Sequence, residues 1–356
     1  MGKKKKFLKI LIIILSVLPF ILLLAAFLFA RTNLTYFEKE MEKVEKAGFV
    51  EKKFTLDNGK ILNYCEGPAG EGKEPLLLIH GQSMSWKDYS RVLPELSKEY
   101  HVFAVDCHGH GESDRFESYT LVEMTNDFND FIQKVIQKPV LLSGHSSGGI
   151  IAANMAVTNP DGVKALLLED PPFFSVLPEE LENTFAWKDG FELYHHFLNQ
   201  DREKSIIAYY FDQGYFWSLF NGLGQIPGKD AREYFAENNE EQRYFWYIPK
   251  DWTRGIIFLP EFDLNFSEAF YDGTFFEGIS QEEILKGIKC PTLYMKAATQ
   301  YGEDGVLYAA NTDEDAEKVM ELLPHAKMVT RDKPDHDIHF SDKNFFIDHI
   351  NTMQNK

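Results

Sequence analysis

Residues 140–149 read VLLSGHSSGG, a short apolar run that ends in G-x-S-x-G centred on Ser146 and passes into a stretch of small residues. A serine hydroxyl becomes a nucleophile when the backbone holds it clear of its neighbours and a base stands ready for its proton. A sharp strand-to-helix turn meets the first need, and Gly144 and Gly148 remove side chains that the tight backbone would otherwise strike. The same turn sets the backbone N–H of Ser147 at a helix N-terminus, facing an oxygen that turns negative during attack. A second donor is expected from His80-Gly81-Gln82, which closes the apolar run Leu76–Ile79, with the Gln82 N–H completing an oxyanion hole. His80 itself is read as structural. The segment Asp106-Cys-His-Gly-His-Gly-Glu-Ser113 has the residue types of a metal tract. Its glycines suit a tight turn and it lacks further ligands, so no metal and no cofactor is expected. Cys65, Cys107 and Cys290 are too few and too scattered for a disulfide framework. Cys107 lies outside the turn that carries Ser146 and is not the expected nucleophile.

These groups need elements to hold them. Apolar runs at Leu76–Ile79, Val102–Val105, Val140–Leu142, Ala165–Leu168, Thr292–Met295 and 327–329 alternate with helical stretches at 121–136, 148–157, 314–323 and 344–353. Buried strands alternating with helices predict an α/β fold whose mostly parallel sheet is covered on both faces. Asp57-Asn58-Gly59, between runs at 49–55 and 61–65, predicts an antiparallel hairpin at its edge. From residue 173 to about 285 the strand rhythm stops, and 28 of the 51 aromatic residues fall there. That insertion is too long for a loop and is read as a helical cap, with part of its rings forming its own core and the rest facing an apolar substrate. At the other end, Ile10–Ala30 is a 21-residue apolar run behind Lys3, Lys4, Lys5, Lys6 and Lys9. It is long enough to span a bilayer, with the lysines cytoplasmic and the rest of the chain extracytoplasmic. Secretion after cleavage at Leu28-Phe29-Ala30 is the alternative, and Gly2 is discounted as an acylation site because Lys6 stands where Ser or Thr is needed. A short solvated helix is expected at 36–47. Removing the six positive charges of residues 1–31 from the total of −18 leaves −24 on the body, which excludes nucleic acid as a partner.

The strand-His80-Gly81 element, the Asp106…Gly109-His110-Gly111…Ser113 loop and the Ser146 turn occur in one order, and in this the sequence resembles the α/β-hydrolase fold family. The resemblance covers roughly residues 50–172 and 286–356. Together with the apolar run and the aromatic insertion, it gives domains at 1–31 (anchor), 32–172 (first part of the core), 173–285 (cap) and 286–356 (second part of the core). The resemblance also implies the order Ser, acid, His. Asp335-His336-Asp337-Ile338-His339-Phe340 looks like the family's G-H-x-x-H-x-x-x-P-x-x-F pattern, making His336 the base and His339 its rival. Asp335 replaces the glycine and Lys343 the proline, and Asp335 either raises the base's pKa or points to solvent. The family's usual acid follows the strand Thr292–Met295, where the loop Lys296–Gly305 offers Asp304. Asp170, at the end of the preceding strand, is the alternative, in the position that haloalkane dehalogenases use. Asp304 is preferred. A serine at the turn, where dehalogenases and epoxide hydrolases have a carboxylate, implies an acyl-enzyme and a serine hydrolase acting on an ester or related carbonyl compound with an apolar portion. The same groups would also serve an acyltransferase, a peptidase or a carbon–carbon hydrolase. A catalytically silent binding protein is a further reading.

Overall fold

The computed structural model describes residues 2–177 and 181–353, with side chains apart from those of residues 2–5 and 8–14. Eight strands form one sheet in the order β1-β2-β4-β3-β5-β6-β7-β8. They are β1 (Val50–Thr55), β2 (Ile61–Glu66), β3 (Glu74–Ile79), β4 (Tyr100–Val105), β5 (Val140–His145), β6 (Val163–Glu169), β7 (Thr292–Lys296) and β8 (Lys327–Thr330). The hairpin pairs Val50 with Glu66 through Thr55 with Ile61, and β2 runs antiparallel to β4. Every other pairing is parallel. The exposed edge strand β1 carries Lys52 and Lys53, charges that discourage pairing with another chain.

The central strands are apolar at successive positions because both faces are covered. Leu77, Ile79, Phe103, Val105, Leu142 and Leu166 enter one core, while Leu76, Leu78, Val102, Ala104, Leu141 and Leu167 enter the other. The period-two alternation of side chains thus sends neighbours into opposite layers. Helix α2 (Leu93–Glu99) precedes β4, α3 (Leu121–Phe131) precedes β5, and α4 (Ser147–Thr158) joins β5 to β6. Thr120 caps α3 by accepting from the Glu123 N–H. Between β6 and β7, residues 173–285 leave the sheet as a set of short helices, including Glu192–Leu198, Ile206–Gln213, Gln225–Asn238 and Leu264–Tyr271. Many of their rings pack on one another, as in Phe270 on Phe275 at 3.9 Å and Phe211 on Phe245 at 4.9 Å.

The first helix differs from expectation. Residues expected as an anchor followed by a separate solvated helix form one element, α1 (Gly2–Lys46), which runs through Pro19. Lys3, Lys4, Lys5 and Lys9 lie outside the described side chains. The side chains of residues 15–29 are exposed, and the helix is long and apolar enough to cross a membrane. Beyond Arg31 the helix is not solvated on all sides. Asn33, Tyr36 and Val44 are buried, because Tyr36 packs with Ile257 and Phe258 while Val44 joins the core beside α2.

Candidate active site

Ser146 stands between β5 and α4 with φ +53° and ψ −124°, a backbone conformation that non-glycine residues rarely adopt and that persists only where the surroundings enforce it. Two glycines make that possible. A Cβ on Gly148 would lie 2.3 Å from the His80 carbonyl oxygen and 2.5 Å from that of Ile79, so any side chain there would push α4 off β3. A Cβ on Gly81 would lie 2.9 Å from the Cβ of Ser146, so the loop after β3 presses directly on the turn. Ser147 opens α4, which leaves its N–H without an intrahelical partner. Gln82 lies in the loop that Gly81 begins, and its side-chain Nε2 donates to Ser267 Oγ at 3.4 Å.

Buried histidines hold this loop in place. His80 accepts from the Cys107 N–H through Nε2 at 2.9 Å, and its Nδ1 lies 2.7 Å from the Gly81 carbonyl. Burial pulls its pKa down to about 4, so the ring is neutral and donates through Nδ1. His110 accepts from the Ser83 N–H at 3.1 Å and contacts the His108 carbonyl at 2.9 Å, fixing the residue after Gln82. The tract 106–113 is spent on this architecture. Asp106 takes hydrogen bonds from Trp86 N, Asn63 Nδ2 and Glu112 N, and burial lifts its pKa to about 6. Burial also raises the Cys107 thiol well above its ordinary range, which makes it a poor nucleophile.

His336 and Asp170 meet where β6 ends. Asp170 is fully buried at φ +45°, and its Oδ2 lies 2.7 Å from His336 Nδ1 while its Oδ1 accepts from the Ala297 N–H at 3.0 Å. Burial presses the His336 pKa down, but the hydrogen bond and charge of Asp170, with the charges of Asp337 and Glu169, outweigh it, and the net shift is upward. It is Asp170, the alternative acid, and not the preferred Asp304 that lies beside His336. Asp304 is exposed on the long loop after β7, where it accepts from Tyr215 Oη at 2.8 Å and from Val306 N at 3.2 Å. The end of β7 is occupied instead by Lys296, whose buried ammonium meets the Ala297 carbonyl, Thr299 Oγ1 and Asp313 Oδ1. Asp335 pairs with Arg331 at 3.2 Å rather than with the neighbouring imidazole.

His339, the rival base, is held in a buried network the sequence did not reveal. Its Nδ1 lies 2.9 Å from Glu169 Oε1 and its Nε2 3.1 Å from Asp88 Oδ2, with all three side chains fully buried. Arg254 from the insertion ion-pairs with Asp88 and, at 3.2 Å, with Asp337, and it stacks on Phe340 at 3.5 Å. Asp337 Oδ1 also lies 3.3 Å from His145 Nε2, but off the hydrogen-bonding line, so among the described residues neither His145 nitrogen has a hydrogen-bond partner. Burial lowers the His145 pKa to about 4, with the charge of His336 adding to the effect. Asp88, His145 and His339 come close enough to share a cation. However, Arg254 already neutralises Asp88 and His339 commits both nitrogens to carboxylates, so the cluster reads as a buried ion-pair network.

Ser146, His336, Gln82 and Ser147 line one cavity of about 620 Å³, a size suited to a small-molecule ligand. Its far wall comes from the insertion and is largely aromatic and aliphatic, with Phe191, Phe216, Leu219, Trp252, Ile256 and Phe270. Asp189 is a carboxyl in that wall, tied to Phe216 N at 2.8 Å and Tyr210 Oη at 3.0 Å, and burial raises its pKa to about 7. The sequence profile of the alpha/beta hydrolase fold matches residues 74–343, well over half the chain. The chain belongs to the α/β-hydrolase fold family. Its mostly parallel eight-stranded sheet, with helices on both faces, is that fold.

Among relatives in this family, the chain is 36% identical over 121 residues to (E)-2-((N-methylformamido)methylene)succinate hydrolase of Acinetobacter baylyi, a match covering 33% of this chain and 44% of that protein. It is also 36% identical over 127 residues to epoxide hydrolase 4 of the mouse, covering 35% of each. The chain therefore spans less than half the length of these relatives, all of them hydrolases by name. A membrane phospholipase A described as a bacterial virulence factor shares the α/β-hydrolase fold along 99% of this chain and 98% of its own, with a TM-score of 0.58 at 21% identity.

Proposed function

We propose that this α/β-hydrolase is a serine hydrolase that cleaves an ester or related carbonyl substrate with an apolar portion, through an acyl-enzyme on Ser146. The observation that carries the reading is the 2.7 Å contact between His336 Nδ1 and Asp170, with His336 and Ser146 lining one cavity. In this mechanism Asp170 holds the Nδ1 proton and stabilises the imidazolium, leaving Nε2 to take the Ser146 proton as Oγ attacks the carbonyl carbon. The N–H groups of Gln82 and Ser147 receive the developing oxyanion. His336 then returns the proton to the leaving group, and water, deprotonated by the same ring, releases the acyl portion. The hydroxyl at the turn supports acyl transfer over the carboxylate chemistry of epoxide opening.

Residues 173–285 act as a cap over the site, and their aromatic wall receives the apolar portion of the substrate. The N-terminal helix is proposed as an uncleaved anchor, with the cluster of lysines cytoplasmic and the catalytic body outside. Continuity supports this, since Ala30 lies inside α1 and the helix goes on to pack against the body through Asn33 and Tyr36. The full chain is tested with p-nitrophenyl esters of increasing acyl length. Rising kcat/KM from short to medium chains is expected, and indifference to chain length would remove the apolar substrate from the proposal.

A further inference from the structure

Five large apolar side chains of the insertion, Leu219, Leu223, Ile226, Trp246 and Trp252, are each between 45% and 59% exposed. They lie on two segments, 219–226 and 246–252, that ring packing and hydrogen bonds link. Trp252 packs on Phe220 at 5.0 Å and on Phe216 at 5.8 Å, in the turn that carries Leu219. Leu223 follows, with its N–H on the Phe220 carbonyl, and the Ile226 N–H lies on the Leu223 carbonyl. Tyr247, stacked edge-on against Trp246, ties that ring to the helix Gln225–Asn238 through its hydroxyl on Asp230. Large apolar side chains exposed along linked segments of a body of strong negative charge mark a contact surface.

The same patch is fastened to the end of the apolar helix. Asn33 Nδ2 donates to the Trp246 carbonyl at 3.0 Å, and its Oδ1 accepts from the Lys250 N–H at 3.2 Å. Asn33 is three residues past Ala30, so at ~1.5 Å per residue this clamp sits within about 5 Å of the end of the apolar run. Phe37 on Phe258 at 5.6 Å and Glu40 on Arg91 at 2.9 Å fix the next two turns. Because α1 is continuous through this region, the body has no linker on which to swing away from the surface the helix enters. Leu219 and Trp252 also line the cavity, so the exposed apolar residues run into the site.

We propose that this apolar rim seats in the bilayer that α1 crosses, so that the site draws an ester dissolved in that bilayer directly from it rather than from water. The inference rests on the anchored reading above and deepens the proposed hydrolysis by naming where the substrate resides. The helix sets the height, the two tryptophans occupy the interfacial zone where such rings collect, and the leucines and Ile226 enter the acyl boundary. A body of net charge −24 is repelled by anionic headgroups, so the contact is apolar and suits a zwitterionic surface.

The test uses the full chain in vesicles of phosphatidylcholine, with or without bromine on the acyl chains, and reads tryptophan emission after flotation. Quenching by brominated lipid is expected, and Trp246→Phe together with Trp252→Phe is expected to abolish most of it. Flotation without quenching, or quenching that survives both substitutions, overturns the docking while leaving the anchor standing. Failure to float overturns the anchor and the docking together. Protection of both tryptophans with two cross-linked copies per assembly gives the face to a second copy and also overturns it. In a second arm, Leu223→Glu with Ile226→Glu is expected to slow hydrolysis of a bilayer-dissolved ester by about tenfold or more, the equivalent of ~1.4 kcal/mol. Hydrolysis of a short water-soluble ester is expected to stay unchanged. Equal loss on both substrates, or on neither, overturns the proposal, and quenching tests docking even if turnover is absent.

Discussion

Replacing Asp170 by Asn changes one atom in the proposed mechanism, and the surroundings dictate how the amide must sit. Oδ1 of Asp170 accepts from the Ala297 N–H at 3.0 Å, and Oδ2 lies 2.7 Å from His336 Nδ1. An asparagine keeps its oxygen toward Ala297, because turning the NH2 there would set donor against donor in a fully buried place. The NH2 then faces Nδ1, which has to become the acceptor, and the ring proton moves to Nε2. His336 in that tautomer cannot take the Ser146 proton. The expected fall in kcat is about 10⁴-fold, the size seen where a triad loses its correct tautomer, or ~5.5 kcal/mol of barrier. Asp304→Asn removes only half of an exposed contact with Tyr215 and is expected to change kcat less than about threefold, in line with the small worth of an exposed hydrogen bond. Both variants are assayed on one p-nitrophenyl ester, with circular dichroism melting to match their stability. A hundredfold loss in Asp304→Asn with a mild effect in Asp170→Asn would refute the reasoning.

The remaining expectations concern protons and the buried network. Asp170 raises the His336 pKa and the base must be neutral to act, so kcat/KM is expected to fall as pH drops through a value above the ordinary imidazole range of about 6.5. Folding raises this pKa, so the pair adds stability that is fully present below the unfolded value and is lost as pH rises through the folded one. A pH–rate profile with its acid limb below that range would contradict the assignment. Arg254→Met leaves Asp88 buried without its cation and strips Asp337 of a partner, with an expected stability loss of roughly 3–5 kcal/mol. Urea unfolding of the two proteins measures it, and a difference below about 1 kcal/mol would mean that the network carries little stability.

The elements around Ser146 were legible because local chemistry leaves few options there. A strand, two glycines and a helix of small residues fix the turn from within ten positions, and the apolar strands have no other way to bury both faces. Asp170 was harder to choose, because chain order admits either strand end. The signal that was available is Lys296-Ala-Ala, which offers no carboxylate where β7 stops, while Asp304 lies several residues beyond any strand-end geometry. The network of Asp88, Glu169, Arg254 and His339 spans segments far apart in the chain, so no local pattern announces it. A trace of it is visible in retrospect, since Glu169 adjoins Asp170 and His339 lies three residues beyond His336. The unbroken course of α1 was hidden for another reason. Charged residues at helical spacing read as solvated, and only the body's apolar surface shows why Tyr36 and Val44 turn inward.

The central claim is that Ser146 forms the covalent bond, with His336 as its base. Intact and peptide mass spectrometry after treatment with a fluorophosphonate reads this directly. The account predicts one phosphonyl adduct on the peptide carrying Ser146, absent in Ser146→Ala and greatly slowed in His336→Ala. A folded protein that takes no adduct, or takes it on another residue, would contradict it.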